Sequence, residues 1–133
     1  MKCLLDTHVW IWSQEERESL GPIALSLIED TGNDIYVSPV STLEISRLIS
    51  LGQISLTGSL PNWVAVTSKN LLARTAEVTH KIAARAYDLR GDFQKDPADR
   101  LLAATALEGD LSLITADQRI LDYPYVKTVD ARR

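Results

Sequence analysis

Hydrophobic and polar positions along this chain change period repeatedly, and those changes mark out its elements. Lys2–Leu5 is a short apolar run of strand type that Asp6 ends. Thr7–Ser13 (THVWIWS) packs Val9, Trp10, Ile11 and Trp12 together, too apolar for a surface loop, and predicts a first helix. After a charged connection, Gln14–Ser19, the pair Gly21-Pro22 opens a second helix carrying Ile23, Leu25, Leu27 and Ile28, with Gly32 near its stop. Ile35–Val37 predicts a brief strand. A helix from about Val40 to Leu51 follows and ends at Gly52. Ile54–Leu60 shows no clear period. Pro61 opens a helix to about Lys69, with Trp63 and Val66 as its apolar contacts, and Leu71–Val78 leaves room for a strand. Thr79 caps a helix His80–Leu89, and Arg90–Lys95 is a basic, flexible loop hinged at Gly91.

The most informative stretch is Lys95–Asp117. Asp96-Pro97 is an N-cap followed by proline at the first helical position, where the missing N–H costs nothing. Asp99 falls in the first turn, where a carboxylate suits the helix dipole. The helix that follows is apolar nearly all round, which predicts burial, and Gly109 stops it. Leu111–Thr115 is a strand, Gln118–Asp122 a short helix, Tyr125–Val129 a last strand, and Ala131–Arg133 an unremarkable tail. This alternation predicts one α/β domain over residues 1–133, a sandwich with a mostly parallel central sheet flanked by helices.

Composition narrows the class. A chain of 133 residues with 45% hydrophobic and 24% charged residues is ordinary for a globular protein. No apolar run approaches the ~20 residues that span a bilayer. The one cysteine, Cys3, excludes an internal disulfide and fits a reducing compartment, so a cytoplasmic location is expected. The net charge of −4 argues against a broadly basic surface but leaves a local one open.

The acids carry the chemistry. Asp6 and Asp117 follow strands, Asp99 opens a helix, and Glu44 falls inside the apolar sector formed by Val40, Leu43, Ile45, Leu48 and Leu51. A carboxylate aimed at a core needs a partner, a proton or a metal. Arg47 is the alternative, as a salt-bridge partner for Glu44, and the aspartates singly read equally well as helix caps. Together they can converge at the carboxyl ends of the strands, where open α/β sheets place their sites. Clustered carboxylates share protons or bind cations. No phosphate-binding glycine loop, CxxC or paired zinc histidines are present, so an all-oxygen set suits Mg²⁺ or Mn²⁺ and metal-dependent phosphoryl chemistry.

The stretches LLDTHVWIW, VSPVSTLEIS, GDFQKDPADRLLAATA, LITADQRI and the final YPYVKTV resemble the PIN-domain ribonucleases, and within them the VapC-like toxins of type II toxin–antitoxin modules. The resemblance implies a PIN-like three-layer sandwich and a metal-dependent endoribonuclease. Its metal-binding and catalytic acids would be Asp6, Glu44, Asp99 and Asp117, with Asp96 and Thr115 supporting them. It also implies a homodimer, an RNA substrate and a cognate antitoxin that blocks the site. Two positions depart from the pattern: Gln94, often histidine in this subgroup, and Arg47, commonly lysine. For the RNA, Arg85, Arg90, Lys95 and Arg100 are the expected phosphate contacts. An RNA-processing nuclease without an antitoxin, and a receiver-like binding module, are the alternatives. Only Lys127 could serve a receiver, and it falls within the last predicted strand.

Overall fold

The computed structural model describes all 133 residues. Five strands form one sheet: β1 (Lys2–Leu5), β2 (Asp34–Val37), β3 (Arg74–Thr75), β4 (Ser112–Thr115) and β5 (Thr128–Asp130). Their order is β3-β2-β1-β4-β5, and every pairing is parallel. The strand order reverses at β1/β4, where Leu5 pairs with Ile114. Residues on β1 alternate between the faces: Cys3 and Leu5 join one core cluster and Leu4 joins the other. The first cluster is covered by α1 (Thr7–Glu15), α2 (Pro22–Glu29), α3 (Pro39–Ser50) and α4 (Leu60–Asn70). The opposite face is covered by α6 (Pro97–Gly109) and α7 (Gln118–Leu121), with α5 (His80–Arg85) packed on α6. The architecture is thus a three-layer α/β sandwich. With both faces covered, the central strands β1 and β4 are buried almost throughout rather than at alternate positions.

Several expectations are corrected by tertiary packing. On α3 the buried side is Val40, Ser41 and Ile45, while Leu43 and Leu51 are 70% and 53% exposed. The buried side is narrower than the periodicity predicts. Between 71 and 78 only Arg74–Thr75 pairs as a strand, and the last strand starts at Thr128 rather than Tyr125. The fifth helix stops at Arg85, not Leu89. Gly109 remains helical, and Asp110 takes the left-handed turn at φ 51°, with its carboxylate 2.8 Å from Lys127 Nζ. A short aspartate tolerates that region better than most side chains. The tail is not idle: Gly21 N donates to Ala131 O and Ile23 N to Arg133 O. The backbone of Arg133 passes so close that a Cβ on residue 21 would meet it at 2.1 Å, which requires glycine there. No helix is long and apolar enough to cross a membrane.

Candidate metal centre

The centre grows out of chain ends that the sheet brings together. Asp6 directly follows β1 and caps α1, accepting from Thr7 N at 2.8 Å, while its own N–H donates to Ile114 O across the β1/β4 pair. Thr115, fully buried at the end of β4, donates through Oγ1 to Asp6 Oδ2 at 2.6 Å and accepts from Asp117 N at 3.0 Å. Asp117 caps α7. Asp96 caps α6, accepting from Ala98 N and Asp99 N, and so fixes the turn that presents Asp99 inward. Ser38 caps α3 in the same way at Val40 N, with Pro39 at the first helical position, and this sets the phase that aims Glu44 at the cleft.

The outcome is a cleft of about 350 Å³ lined by Asp6, Thr7, His8, Trp12, Glu44, Asp96, Asp99, Ala116, Asp117 and Arg119. One carboxylate oxygen from each of Asp6, Glu44 and Asp99 lies within 4.8 Å of the others. Asp117 lines the cleft but is held by Arg119, whose Nη2 and Nε lie 2.9 and 3.2 Å from its oxygens. Glu44 has no ion pair, and the exposed Arg47 forms none either, so the salt-bridge alternative is not what the structure contains. Thr7 Oγ1 instead donates to Glu44 Oε1 at 2.5 Å and lies 3.0 Å from Ser41 Oγ.

Electrostatics follow from this crowding. Unit charges 4–5 Å apart near a protein surface repel by about 3–4 kcal/mol per pair. Burial pushes the carboxyls of Asp6 and Glu44 above their usual range. Asp99 is pushed from 3.8 up to about 7, first by burial and then by the charges of Asp6, Asp96, Glu44 and Asp117. Asp117 moves the other way, because Arg119 hydrogen-bonds its ionised form. Three crowded carboxylates, Asp6 and Glu44 half-buried and Asp99 buried, offer oxygen alone and fit a hard divalent ion.

The sequence did not announce every contributor. Thr7 and the Asp117–Arg119 pair become visible only in three dimensions. His8 stands exposed at the cleft rim. Gln94 Nε2 donates to Asp99 Oδ2 at 2.6 Å, and its Oε1 is buried without a partner. Of the four cations expected at RNA, Arg85 is paired with Glu108 toward the far end of α6. Arg100 is turned onto the carbonyls of Ala86 and Phe93. Neither guanidinium stands free for phosphate. Arg90 and Lys95 form no ion pair and remain exposed.

Comparison with known proteins agrees with this geometry. The family model for the PIN domain matches residues 3–124. The chain belongs to the PIN-domain family. Within that family it is 32% identical over 126 residues to Ribonuclease VapC22 of Mycobacterium tuberculosis, covering 95% of both chains. Among solved structures, the PIN fold seen here matches VapBC2 of Rickettsia felis, bound to a DNA fragment from its promoter, with a TM-score of 0.67. That match has 16% identity and covers 97% of this chain and 98% of the other. A toxin–antitoxin complex from Klebsiella pneumoniae matches with a TM-score of 0.63 and 19% identity, covering 97% of each chain.

Proposed function

We propose that the chain is a single PIN domain acting as a metal-dependent endoribonuclease, the toxin of a type II toxin–antitoxin pair that works in the cytoplasm. The observation that carries this reading is the Asp6–Glu44–Asp99 cluster at the β1/β4 reversal of the sheet. The likeness to a ribonuclease over 95% of the chain and to VapBC assemblies supports the RNA substrate and an antitoxin partner. Asp6, Glu44 and Asp99 would hold Mg²⁺ or Mn²⁺, with Asp117 on the same cleft. Such an ion supplies water activation and charge stabilisation for hydrolysis of a phosphodiester bond.

The chain's own side chains do the positioning. Thr115 and Thr7 donate to Asp6 and Glu44, fixing the two carboxylates in one orientation. Gln94 does the same for Asp99, and Asp96 holds the helix start beneath it. The homodimer belongs to the same proposal. Its motive is the exposed apolar surface of Leu43, Leu51 and Val66 on α3, its C-terminal cap and α4, while Trp10 and Trp63 are core residues. The decisive experiment incubates purified protein with a panel of RNAs in Mg²⁺ or Mn²⁺. Cleavage that a chelator abolishes is the expected result, and no cleavage in either metal would overturn the reading.

Two further outcomes are expected. Glu44→Ala removes cleavage without lowering the melting temperature of the metal-free protein, because it deletes a carboxylate with no cationic partner and leaves Thr7 with Ser41. A marked fall in melting temperature would show that Glu44 is chiefly a structural group. Arg90→Ala combined with Lys95→Ala weakens RNA binding and reduces its salt slope by roughly two phosphate contacts, as counterion release requires. An unchanged slope would remove both side chains from the RNA interface.

A further inference from the structure

The loop between α5 and α6, expected to be a flexible hinge, is strapped down by a continuous file of aromatic rings and guanidinium groups. Arg100, next to Asp99 in the chain, donates through Nη1 to Ala86 O at 3.2 Å and through Nη2 to Phe93 O at 2.8 Å. Its guanidinium carbon lies 4.9 Å from the ring centre of Tyr87 and 5.8 Å from that of Phe93. Phe93 meets Tyr123 edge-on at 4.9 Å, Tyr123 meets Tyr125 at 5.4 Å, and Arg90 stands 4.6 Å over Tyr125. Tyr123 also donates its hydroxyl to Arg90 O. The file joins the metal centre at Gln94, the residue after Phe93, which bonds Asp99.

Two features of this file are not explained by packing. Tyr87 is 70% exposed although the Arg100 guanidinium, itself held by two carbonyls, lies against its ring, so a large aromatic ring stays open to solvent. Charge is the second. Of the 14 Lys and Arg side chains, only Lys2, Arg47, Lys69, Arg90, Lys95 and Arg100 form no ion pair. Half of these fall in the eleven residues from 90 to 100, where Asp92, Asp96 and Asp99 balance the charge in sum without pairing to them. Exposed cations outside ion pairs, here Arg90 and Lys95, near an exposed ring are the combination that grips unpaired nucleic acid, with phosphate on the cations and a base on the π-face.

We propose that Tyr87, backed by Arg100, is a stacking seat for an unpaired nucleobase of the RNA, and that Arg90 and Lys95 take its neighbouring phosphates. The proposal rests on the ribonuclease reading for its ligand and adds the side chain that receives a base. A base buried in a duplex cannot offer its face to Tyr87 without unstacking.

The test is fluorescence anisotropy of a short single-stranded RNA and of its duplex, measured in chelator so that the strands stay intact. Tyr87→Ala should weaken single-strand binding roughly tenfold, leave duplex binding and the salt slope unchanged, and be rescued by Tyr87→Phe. The proposal is overturned if Tyr87→Ala binds the single strand as the wild type does, if it weakens strand and duplex equally, or if the wild type binds no RNA. The two readings fail separately. Wild-type cleavage with Tyr87-independent binding removes the stacking seat alone, whereas Tyr87-dependent binding without cleavage in Mg²⁺ or Mn²⁺ removes the nuclease reading and keeps the RNA site.

Discussion

Asp99→Asn is expected to abolish RNA cleavage, a loss of more than about hundredfold, while the fold and antitoxin binding survive. Asparagine keeps the size of the side chain and can still accept from Gln94 Nε2, which bonds Asp99 Oδ2 in the wild type. The cap on α6 does not depend on it, because Asp96 satisfies the amides of Ala98 and Asp99. Loss of the first-turn charge costs at most about 1 kcal/mol of helix dipole complementarity. Relief from the charges of Asp6, Glu44, Asp96 and Asp117 offsets that cost. The missing negative charge is what a divalent ion needs, and preorganised charge stabilisation is commonly the largest catalytic contribution. The comparison pairs cleavage in Mg²⁺ and Mn²⁺ with a thermal melt in chelator. Retained cleavage in both metals would sink the assignment of this centre. Lost cleavage together with a lower melting temperature would reduce Asp99 to a structural acid.

The second large effect is on stability. Metal-free protein is expected to melt about 5 °C higher or more at pH 5.5 than at pH 8. The sign follows from proton counting. Asp99 titrates near 7 in the folded chain against 3.8 ordinarily, so between about pH 4 and 7 the folded chain holds a proton that the unfolded chain has released. Stability therefore falls as pH rises through that window and levels off above it. Asp6 and Glu44, both raised by burial, act in the same direction. Asp117 is lowered, and its opposing contribution disappears only in more acidic solution, below the ordinary carboxylate range. Adding Mg²⁺ or Mn²⁺ at pH 8 should restore the melting temperature, because the ion neutralises the same carboxylates and stabilises the folded state by mass action. In the Asp99→Asn protein both the pH dependence and the metal response should shrink. A wild-type melting temperature indifferent to pH and to metal would mean that the acids do not interact as their spacing requires.

What the sequence determined alone is the local grammar of the chain and the identity of its acids. Asp96-Pro97 starts a helix because the cap side chain accepts from the first free amides and the proline has none to satisfy, whatever lies around them. β1 and β4 are apolar enough to be strands buried on both faces, and the alternation of elements already favoured a largely parallel sheet. The tertiary structure decided what depends on distant neighbours. The width of the buried face on α3 is set by the α1 and α6 surfaces it meets, which leaves Leu43 in solvent and Glu44 facing Thr7. Strand order is equally non-local: Asp6 and Thr115, 109 residues apart, share a hydrogen bond only because β4 inserts beside β1. The cations could not be sorted from the sequence either. Arg85 and Arg100 look as available as Arg90 and Lys95 until Glu108 and the carbonyls of Ala86 and Phe93 claim them. Side-chain charge is written in the sequence, but its partner is chosen by packing, and that choice separates a fold-holding arginine from one left for a ligand.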